Sequence, residues 1–354
     1  MDIDRKGITD MKKIALILTG GTIGSTLKDH VISVGEKTVY GLVNAYEERY
    51  GEKDRFQIFS PFQELSENFT KKQWQQLYDF LYDFPFEAYE GVVIAHGTDT
   101  LSYSAALMGM LFSHVSVPVM LIASNYPIGV EGSNGVTNLR AAVSFISQQV
   151  APGVFVAYEN DRQEVEIHLA TRLLPADNVQ DQYGSFGGAC FGKMDTKQFV
   201  FQENGGRHNP SLETLRCQRK QVLQERILFE KDVLFLMPYP GQNYENVLFS
   251  KNVAAVYQYL YHAGTICMKE ENYSFLCLEK RCREEKRPLY VASLKRKNEN
   301  AYETQAAFLQ RNVIPMYDIS PVAGYMKLVI GMNQKECPVE EWMAQNIFFE
   351  EVSL

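Results

Sequence analysis

Short, uninterrupted apolar runs recur in the first half of the chain, and each leads into a loop. They are Met11–Thr19 (MKKIALILT), Gly91–Ala95 (GVVIA) and Val117–Ala123 (VPVMLIA). Such runs are typical of strands that are buried on both faces of a parallel sheet. Ser102–His114 lies between the last two runs and is rich in helix-forming residues. The alternation of strands and helices therefore predicts βαβ units and an α/β fold.

The chain has 354 residues, which is enough for about two domains. From residue 191 the sequence becomes polar and then highly charged, and further apolar runs follow at Val233–Met237 and Arg287–Leu294. We therefore predict a larger N-terminal α/β domain with a mostly parallel sheet over 11–190, and a connector over 191–232. A smaller C-terminal α/β domain is predicted over 233–354.

Composition excludes several classes of partner. The formal net charge of −8 argues against nucleic acid, because phosphate binding relies on clustered Lys and Arg. No apolar run approaches the ~18 residues that a membrane-spanning helix needs, and residues 1–10 lack the apolar core of a secretion signal. The six cysteines form no CxxC pair, and no His stands at metal-ligand spacing from them. We expect a cytoplasmic protein that uses neither a cofactor nor a metal and binds neither nucleic acid nor membrane.

Two polar loops follow the first two strands. The first, Thr19–Ser25 (TGGTIGS), has adjacent glycines but neither a GxGxxG nor a GxxxxGK[ST] pattern, so it does not predict phosphate binding. The second, His96–Thr100 (HGTDT), places a hydroxyl beside a carboxylate. Each loop alone has a purely structural interpretation: a tight turn for the first, and a helix cap made by Asp99 for the second. Because parallel strands end at one edge of the sheet, the two loops together predict a small polar pocket.

These loops resemble the two signature loops of the L-asparaginase family, in particular its cytoplasmic type I branch. Thr19–Ile23 (TGGTI) and His96–Thr100 (HGTDT) carry the resemblance. Segments that resemble other parts of the family follow in order: Pro61–Trp74, Ser133–Ala142, Tyr239–Gly241, Tyr261–Thr265 and Tyr302–Ser320. The resemblance therefore covers nearly the whole chain and implies the asparaginase fold.

The resemblance also implies roles for individual residues. Thr22 matches the nucleophile, and Thr98 and Asp99 match the pair that lies across the substrate. Ser66 and Asp99 would hold the α-carboxylate and the α-ammonium group, and Glu67 matches a polar contact residue.

Two further contributions are implied from the backbone and from the second domain. The backbone N–H groups around Gly21 and Gly97 would stabilise the oxyanion. Thr265 stands where the family contributes a residue across a dimer. The resemblance thus implies a homodimer or a homotetramer.

Two side chains of the family pattern are replaced. Val31 or a neighbour stands near the position of the family's loop tyrosine, and Tyr40 lies further along. Arg172 matches the lysine that partners the second loop. Arginine remains protonated and cannot act as the base that a desolvated lysine can be, but it can still pair with Asp99 and orient Thr98.

The function implied is that of an amidohydrolase that releases ammonia from the side-chain amide of a small amino acid, L-asparagine foremost, with water as co-substrate. The replaced tyrosine and lysine leave open an impaired member of the family that binds an amino acid as a sensor or partner. A glutaminase-like subunit of a tRNA-dependent amidotransferase is a third possibility. It is less favoured, because that group carries an extra N-terminal domain and the first strand here is expected near residue 12.

Overall fold

The computed structural model describes residues 12–21, 23, 25–28, 31–34, 40–53, 55–160, 164–195, 198–202, 209–269, 271–296 and 302–352, with the backbone alone at 25–28 and 31–34. The strands, in chain order, are β1 (Ile14–Leu18), β2 (Ser25–Lys28), β3 (Val31–Val34), β4 (Phe56–Phe59), β5 (Val92–Ala95), β6 (Pro118–Ile122), β7 (Gly153–Glu159), β8 (Val165–Leu169), β9 (Gly192–Asp195), β10 (Gln198–Phe201), β11 (Asp232–Leu236), β12 (Val253–Tyr259), β13 (Leu289–Leu294) and β14 (Ile314–Tyr317). The α-helices are α1 (Gly41–Tyr50), α2 (Lys71–Tyr82), α3 (Leu101–Leu111), α4 (Gly135–Ser147), α5 (Leu212–Arg216), α6 (Phe275–Glu284), α7 (Glu303–Leu309), α8 (Pro321–Asn333) and α9 (Val339–Ala344).

The described residues form a large mixed sheet, a small parallel sheet and a two-stranded hairpin. The strand order in the large sheet is β10-β9-β8-β7-β6-β5-β1-β4, and that in the small sheet is β11-β12-β13-β14. Pairing is parallel from β4 to β7 and antiparallel from β7 to β10. The small sheet is parallel throughout. The predicted α/β class with a mostly parallel sheet is confirmed.

The central strands are apolar at every position because both faces of the sheet are covered. All five residues of β1 and all four of β5 are buried. Helix α3 is buried around almost its whole circumference, since it packs between the large sheet and helix α8, which belongs to the second half of the chain. The rings of Tyr103 on α3 and Tyr325 on α8 meet edge to face at 6.2 Å. A helix that is apolar on all sides is expected only in such an interior position.

The segment predicted as a connector is divided in the structure. Residues 192–195 and 198–201 of its first part form β9 and β10, and these strands complete the large sheet. Alternating strand residues such as Phe199 and Phe201 pack on Phe191 in the core. Gln198 and Val200 alternate with these rings and are exposed, because an antiparallel edge hairpin buries only one face. The division into two domains remains a prediction.

The C-terminal segment crosses back from the small sheet to the large one. Val352 N–H donates to the carbonyl of Asp318, and the Thr171 hydroxyl donates to the carbonyl of Phe348 at 2.6 Å. Glu350 is fully buried beside the ammonium group of Lys327 at 2.9 Å. This segment therefore joins the two halves of the chain. Within the described ranges no helix is long and apolar enough to cross a membrane.

Candidate active site

The two predicted loops lie side by side at the carboxyl edge of the large sheet. Strands β1 and β5 are parallel neighbours, with Leu18 opposite Ala95. Thr19 extends this pairing, since its N–H donates to the Ala95 carbonyl at 3.1 Å and its hydroxyl donates to the same oxygen at 3.0 Å. The loops that leave β1 and β5 therefore start from adjacent points.

Glycine at positions 21 and 97 allows the two loop backbones to touch. A Cβ atom on Gly21 would lie 2.4 Å from the Cα atom of Gly97, which is closer than side-chain atoms pack. Gly21 also has φ 76°, a conformation that other residues rarely adopt. The paired glycines thus bring the first loop against the second.

Ser66 joins the same site from the loop after β4. Its side chain is buried, and its hydroxyl donates to Asp99 Oδ2 at 3.2 Å. The Thr100 hydroxyl donates to the Ser66 carbonyl at 2.9 Å. A Cβ atom on Gly97 would lie 2.4 Å from Ser66 Oγ, so only glycine at 97 leaves room for this serine. The structure therefore brings together Ser66, Gly97 and Asp99, and their roles in substrate binding stay predictions.

Helix α3 begins directly after this loop without a cap from Asp99. The N-cap residue of α3 is Thr100, and its side chain makes no capping hydrogen bond. Its hydroxyl is engaged with Ser66 instead. The purely structural interpretation of the second loop, in which Asp99 caps the helix, is not what the geometry shows.

A cavity of about 160 Å³ opens beside the second loop. Its lining comes from the ends of three neighbouring strands and from the loop that follows β8: Thr98, Asp99, Asn125, Tyr158, Pro175, Ala176, Asp177, Asn178 and Asp181. These side chains are polar or acidic for the most part, and neither Lys nor Arg is among them. Within the described part of the chain, no group of three or more His, Cys, Asp or Glu has a geometry that could hold a metal ion.

Tyr183, in the connection between β8 and β9, holds the second loop by a hydrogen bond. The sequence did not predict this residue as part of the site. Its hydroxyl donates to the Thr98 carbonyl at 2.5 Å, and its ring packs on Tyr158 with the centroids 4.6 Å apart. Asn160 fixes its backbone through reciprocal hydrogen bonds at 3.0 Å. Burial raises the pKa of Tyr183 well above its usual value, so the phenol stays protonated as a donor. Its position, 85 residues from Thr98, left no local signal in the sequence.

His96 packs beneath the loop in a dry environment. The side chain is fully buried, its ring meets Phe69 edge to face at 4.7 Å, and Nδ1 lies 2.8 Å from the Gly97 carbonyl. Burial lowers the pKa of His96 to about 4, which keeps the imidazole neutral at pH 7. A neutral ring whose Nδ1–H donates to that carbonyl supports the loop.

The family relationship follows from comparison with known proteins. A family model described as Asparaginase, N-terminal, matches residues 13–200, which is more than half of the chain. The chain belongs to the asparaginase family. The region matched contains both signature loops and Ser66, so the asparaginase family model covers the elements that build the site.

Curated relatives carry two different names. The glutamyl-tRNA(Gln) amidotransferase D subunit of Methanosphaera stadtmanae is 25% identical over 358 residues, covering 94% of this chain and 75% of that protein. The protein of the same name from Pyrococcus abyssi is 25% identical over 357 residues, covering 96% and 77%. The L-asparaginase of Thermococcus kodakarensis is 36% identical over 88 residues, a quarter of each chain.

Solved asparaginase structures share the fold. The thermostable L-asparaginase from Thermococcus kodakarensis superposes with a TM-score of 0.77 at 21% identity, covering 97% of this chain and 100% of that one. L-asparaginase I from Vibrio cholerae gives a TM-score of 0.73 at 22% identity, covering 97% and 99%. At these identities the likeness concerns the fold.

Arg172 has partners other than those that the asparaginase resemblance implies. Its Nε donates to the Phe349 carbonyl at 2.6 Å, and its Nη2 donates to the Glu351 carbonyl at 3.4 Å. Burial lowers the pKa of Arg172 to about 10, and the nearby Glu350 carboxylate opposes this. The guanidinium thus binds the C-terminal segment, which reaches this position only in the tertiary structure, and the pairing of Arg172 with Asp99 stays a prediction.

The Gly21 N–H already donates a hydrogen bond within the protein. It donates to the Glu64 carbonyl at 3.0 Å, and Glu64 N–H donates back to the Thr19 carbonyl at 2.9 Å. These bonds attach the first loop to the segment that carries Ser66. Any oxyanion donor near Gly21 must therefore be another amide of the loop.

The remaining predicted residues of the asparaginase pattern lie apart from the cavity or outside the described residues. Glu67 is exposed on the short 3-10 turn Ser66–Asn68, and Thr265 is half-buried, with its carbonyl bonded to Tyr261 N–H at 3.0 Å. Neither residue lines the cavity next to Thr98. Thr22 lies outside the described residues, and at the predicted tyrosine position, Val31, only the backbone of β3 is described.

Proposed function

We propose that the chain hydrolyses the side-chain amide of a small amino acid, with L-asparagine as the preferred substrate and Thr22 as the nucleophile. The observation that carries the proposal is the hydrogen bond from Ser66 to Asp99 beside the Gly21–Gly97 contact. It joins three separate parts of the asparaginase pattern at one edge of the sheet. Amino-acid binding needs such a carboxylate, because it attracts the substrate's ammonium group.

The proposed chemistry is acyl transfer in two steps. The Thr22 oxygen bonds to the amide carbon, and the carbon–nitrogen bond breaks with protonation of the leaving ammonia by the proton that the hydroxyl gives up. Water then attacks the resulting ester: its oxygen bonds to the acyl carbon, the bond from that carbon to the Thr22 oxygen breaks, and one water proton restores the Thr22 hydroxyl as the carboxylic acid is released. The amide of Thr98 is the donor we assign to the oxyanion, since Gly21 N–H is engaged with Glu64.

Both peptide groups at Thr98 are held in place. The Thr98 N–H belongs to the Gly97–Thr98 peptide, whose carbonyl lies 2.8 Å from His96 Nδ1. The Thr98 carbonyl belongs to the next peptide and accepts from the Tyr183 hydroxyl and, at 3.4 Å, from the Leu101 N–H. A fixed peptide needs no reorganisation as charge develops on the substrate oxygen, which is the origin of most electrostatic stabilisation in enzymes. Tyr183 is therefore proposed as a positioning residue.

The test is ammonia release from L-asparagine and L-glutamine by the purified chain and by Thr22→Ala. Thr22→Ala should lose nearly all turnover, and Thr214→Ala, at an exposed threonine on α5, is the matched control. Addition of hydroxylamine should divert the acyl-enzyme to the β-aspartyl hydroxamate. An unchanged rate in Thr22→Ala would refute the nucleophile assignment, and binding of asparagine without turnover would favour a sensor.

A second candidate is favoured by the relatives. Proteins named as the D subunit of a glutamyl-tRNA(Gln) amidotransferase align over 94–96% of this chain. In that case the chain would release ammonia from L-glutamine for a partner protein. Faster ammonia release from L-glutamine than from L-asparagine would support this candidate. Faster release from L-asparagine would support the first.

We also propose that the chain is a cytoplasmic homodimer or homotetramer, in which Thr265 of one subunit faces the site of another. Light scattering after gel filtration gives the subunit number. If Thr265 completes a neighbouring site, Thr265→Ala should raise the KM for the amide without changing the free energy of unfolding.

A further inference from the structure

A larger cavity, of about 610 Å³, lies at the opposite edge of the large sheet from the proposed active site. It opens between the segments that lead into β5, β6 and β7, where Phe86, Val115 and Pro152 form an apolar wall. Since these strands are parallel, their beginnings lie a full strand length from the Thr98 loop. The volume falls in the range of cavities that bind small molecules, ~300–1,000 Å³.

Two guanidinium groups line this cavity. Arg219 lies over the ring of Phe348 at 5.2 Å and donates to the carbonyls of Ser113 and Thr214 at 3.3 Å. Arg216 donates through Nε to the Val150 carbonyl at 3.1 Å. Among the residues that the structure describes, no carboxylate forms an ion pair with either group. Two arginines that form no ion pair among the described residues favour an anion here, because the guanidinium fork matches phosphate and carboxylate oxygens.

A buried hydroxyl provides a second, independent indication. Ser113 lines the cavity and is 1% exposed, and its Oγ has no hydrogen-bond partner within the described part of the chain. A buried polar group that makes no hydrogen bond destabilises the folded state. Polar atoms in this situation usually bind a water molecule or a ligand.

We propose that this cavity binds a small molecule in which one phosphate or carboxylate group is attached to a flat apolar ring. The anion lies between Arg216 and Arg219, the Ser113 hydroxyl donates to it, and the ring packs on Phe86 and Pro152. Glu87 also lines the cavity, with its carboxylate 3.4 Å from the Ser116 hydroxyl. Its negative charge opposes multiply charged ligands, so a single anionic group fits the site best.

An exposed thiol at the cavity allows a local test of binding. Cys217 lines the cavity, and Cys267 is also exposed but lies outside it, so the two cysteines of one molecule serve as probe and control. Alkylation by iodoacetamide is followed at both residues by peptide mass spectrometry, with phenyl phosphate as the ligand. We expect saturating phenyl phosphate to slow alkylation of Cys217 at least fivefold and to leave Cys267 unchanged. Phenol at the same concentration should protect neither.

Variants then test the role of charge. Arg216→Gln should weaken phenyl phosphate binding about tenfold, the effect of losing one charge-assisted hydrogen bond. Glu87→Gln should tighten it about twofold, because it removes a like charge. Lys220→Gln, an exposed neighbour outside the cavity, is the control for total charge and should leave binding unchanged. Arg216 is exposed, so its replacement is expected to leave the fold intact.

Several outcomes would overturn the proposal. The first is that millimolar phenyl phosphate does not protect Cys217 from alkylation. The second is that phenol protects Cys217 equally well. The third is that Arg216→Gln and the original chain bind phenyl phosphate with equal affinity. The measurement does not use amide hydrolysis, so its result is independent of the proposed function.

Discussion

The backbones of Gly21 and Gly97 are in contact, and a Cβ atom on Gly21 would lie 2.4 Å from the Cα atom of Gly97. This contact joins loops that are 76 residues apart at their strand ends, Thr19 and Ala95. The register of two parallel strands thus places the hydroxyl-bearing loops within reach of each other.

Gly21→Ala tests the contact between the loops. The left-handed backbone conformation costs an alanine about 1 kcal/mol, and the overlap with Gly97 adds about 1–3 kcal/mol. Gly51→Ala is the matched control, because Gly51 has nearly the same φ, 73° against 76°, but no atom within 4 Å of the added Cβ. Urea denaturation should give a larger loss of the free energy of unfolding for Gly21→Ala. Equal losses for the two variants would mean that the loops do not touch.

Asp99→Asn tests the proposed grip on the substrate's ammonium group. Loss of a charge-assisted hydrogen bond should raise the KM for L-asparagine more than tenfold. Succinamate has the same side-chain amide but no amino group, so its KM should change less than twofold. The measurement is ammonia release with both substrates. A similar increase in KM for the two substrates would mean that the Asp99 carboxylate does not bind the ammonium group.

Tyr183→Phe removes the hydrogen bond to the Thr98 carbonyl but keeps the ring that packs on Tyr158. We expect a loss of about 1 kcal/mol in the free energy of unfolding. We also expect kcat to fall several-fold with little change in KM, because the oxyanion donor becomes less fixed. Tyr302→Phe, at an exposed hydroxyl, should change neither quantity. If kcat is unaffected in Tyr183→Phe, Tyr183 is a purely structural residue.

His96 should make the protein less stable in mild acid. Its pKa is about 4 in the folded state and 6.5 in its ordinary environment, so between these values the unfolded chain binds a proton that the folded chain does not. At pH 7 the group is neutral in both states and contributes nothing. As the pH falls from 6.5 to 4, the free energy of unfolding should decrease by roughly 3 kcal/mol on account of this group.

The check compares the free energy of unfolding at pH 7 and at pH 4 for the original chain and for His96→Gln. Between pH 7 and pH 4, the free energy of unfolding of the variant should decrease by about 3 kcal/mol less than that of the original chain. His262→Gln replaces an exposed histidine and should follow the original chain. Parallel pH profiles for His96→Gln and the original chain would contradict the buried, neutral imidazole.

The sequence by itself determined the α/β class, the position of the first strands and the meeting of the two loops. Runs such as Ile14–Leu18 are apolar at every position, and only a strand covered on both faces requires this. Strand ends that are adjacent in a parallel sheet bring their loops together, which is why Gly97, Asp99 and, through the family pattern, Ser66 could be named in advance.

Only the tertiary structure decided the partners of Arg172 and Tyr183. Arg172 binds carbonyls of the C-terminal segment 177 or more residues away, and Tyr183 reaches the Thr98 carbonyl across 85 residues. The assignment of Arg172 to Asp99 followed the position of the residue along the chain. Hydrogen bonds between distant segments depend instead on how the elements that carry them pack in three dimensions. A periodic pattern of apolar residues specifies which face of an element is buried but not which polar group that face meets.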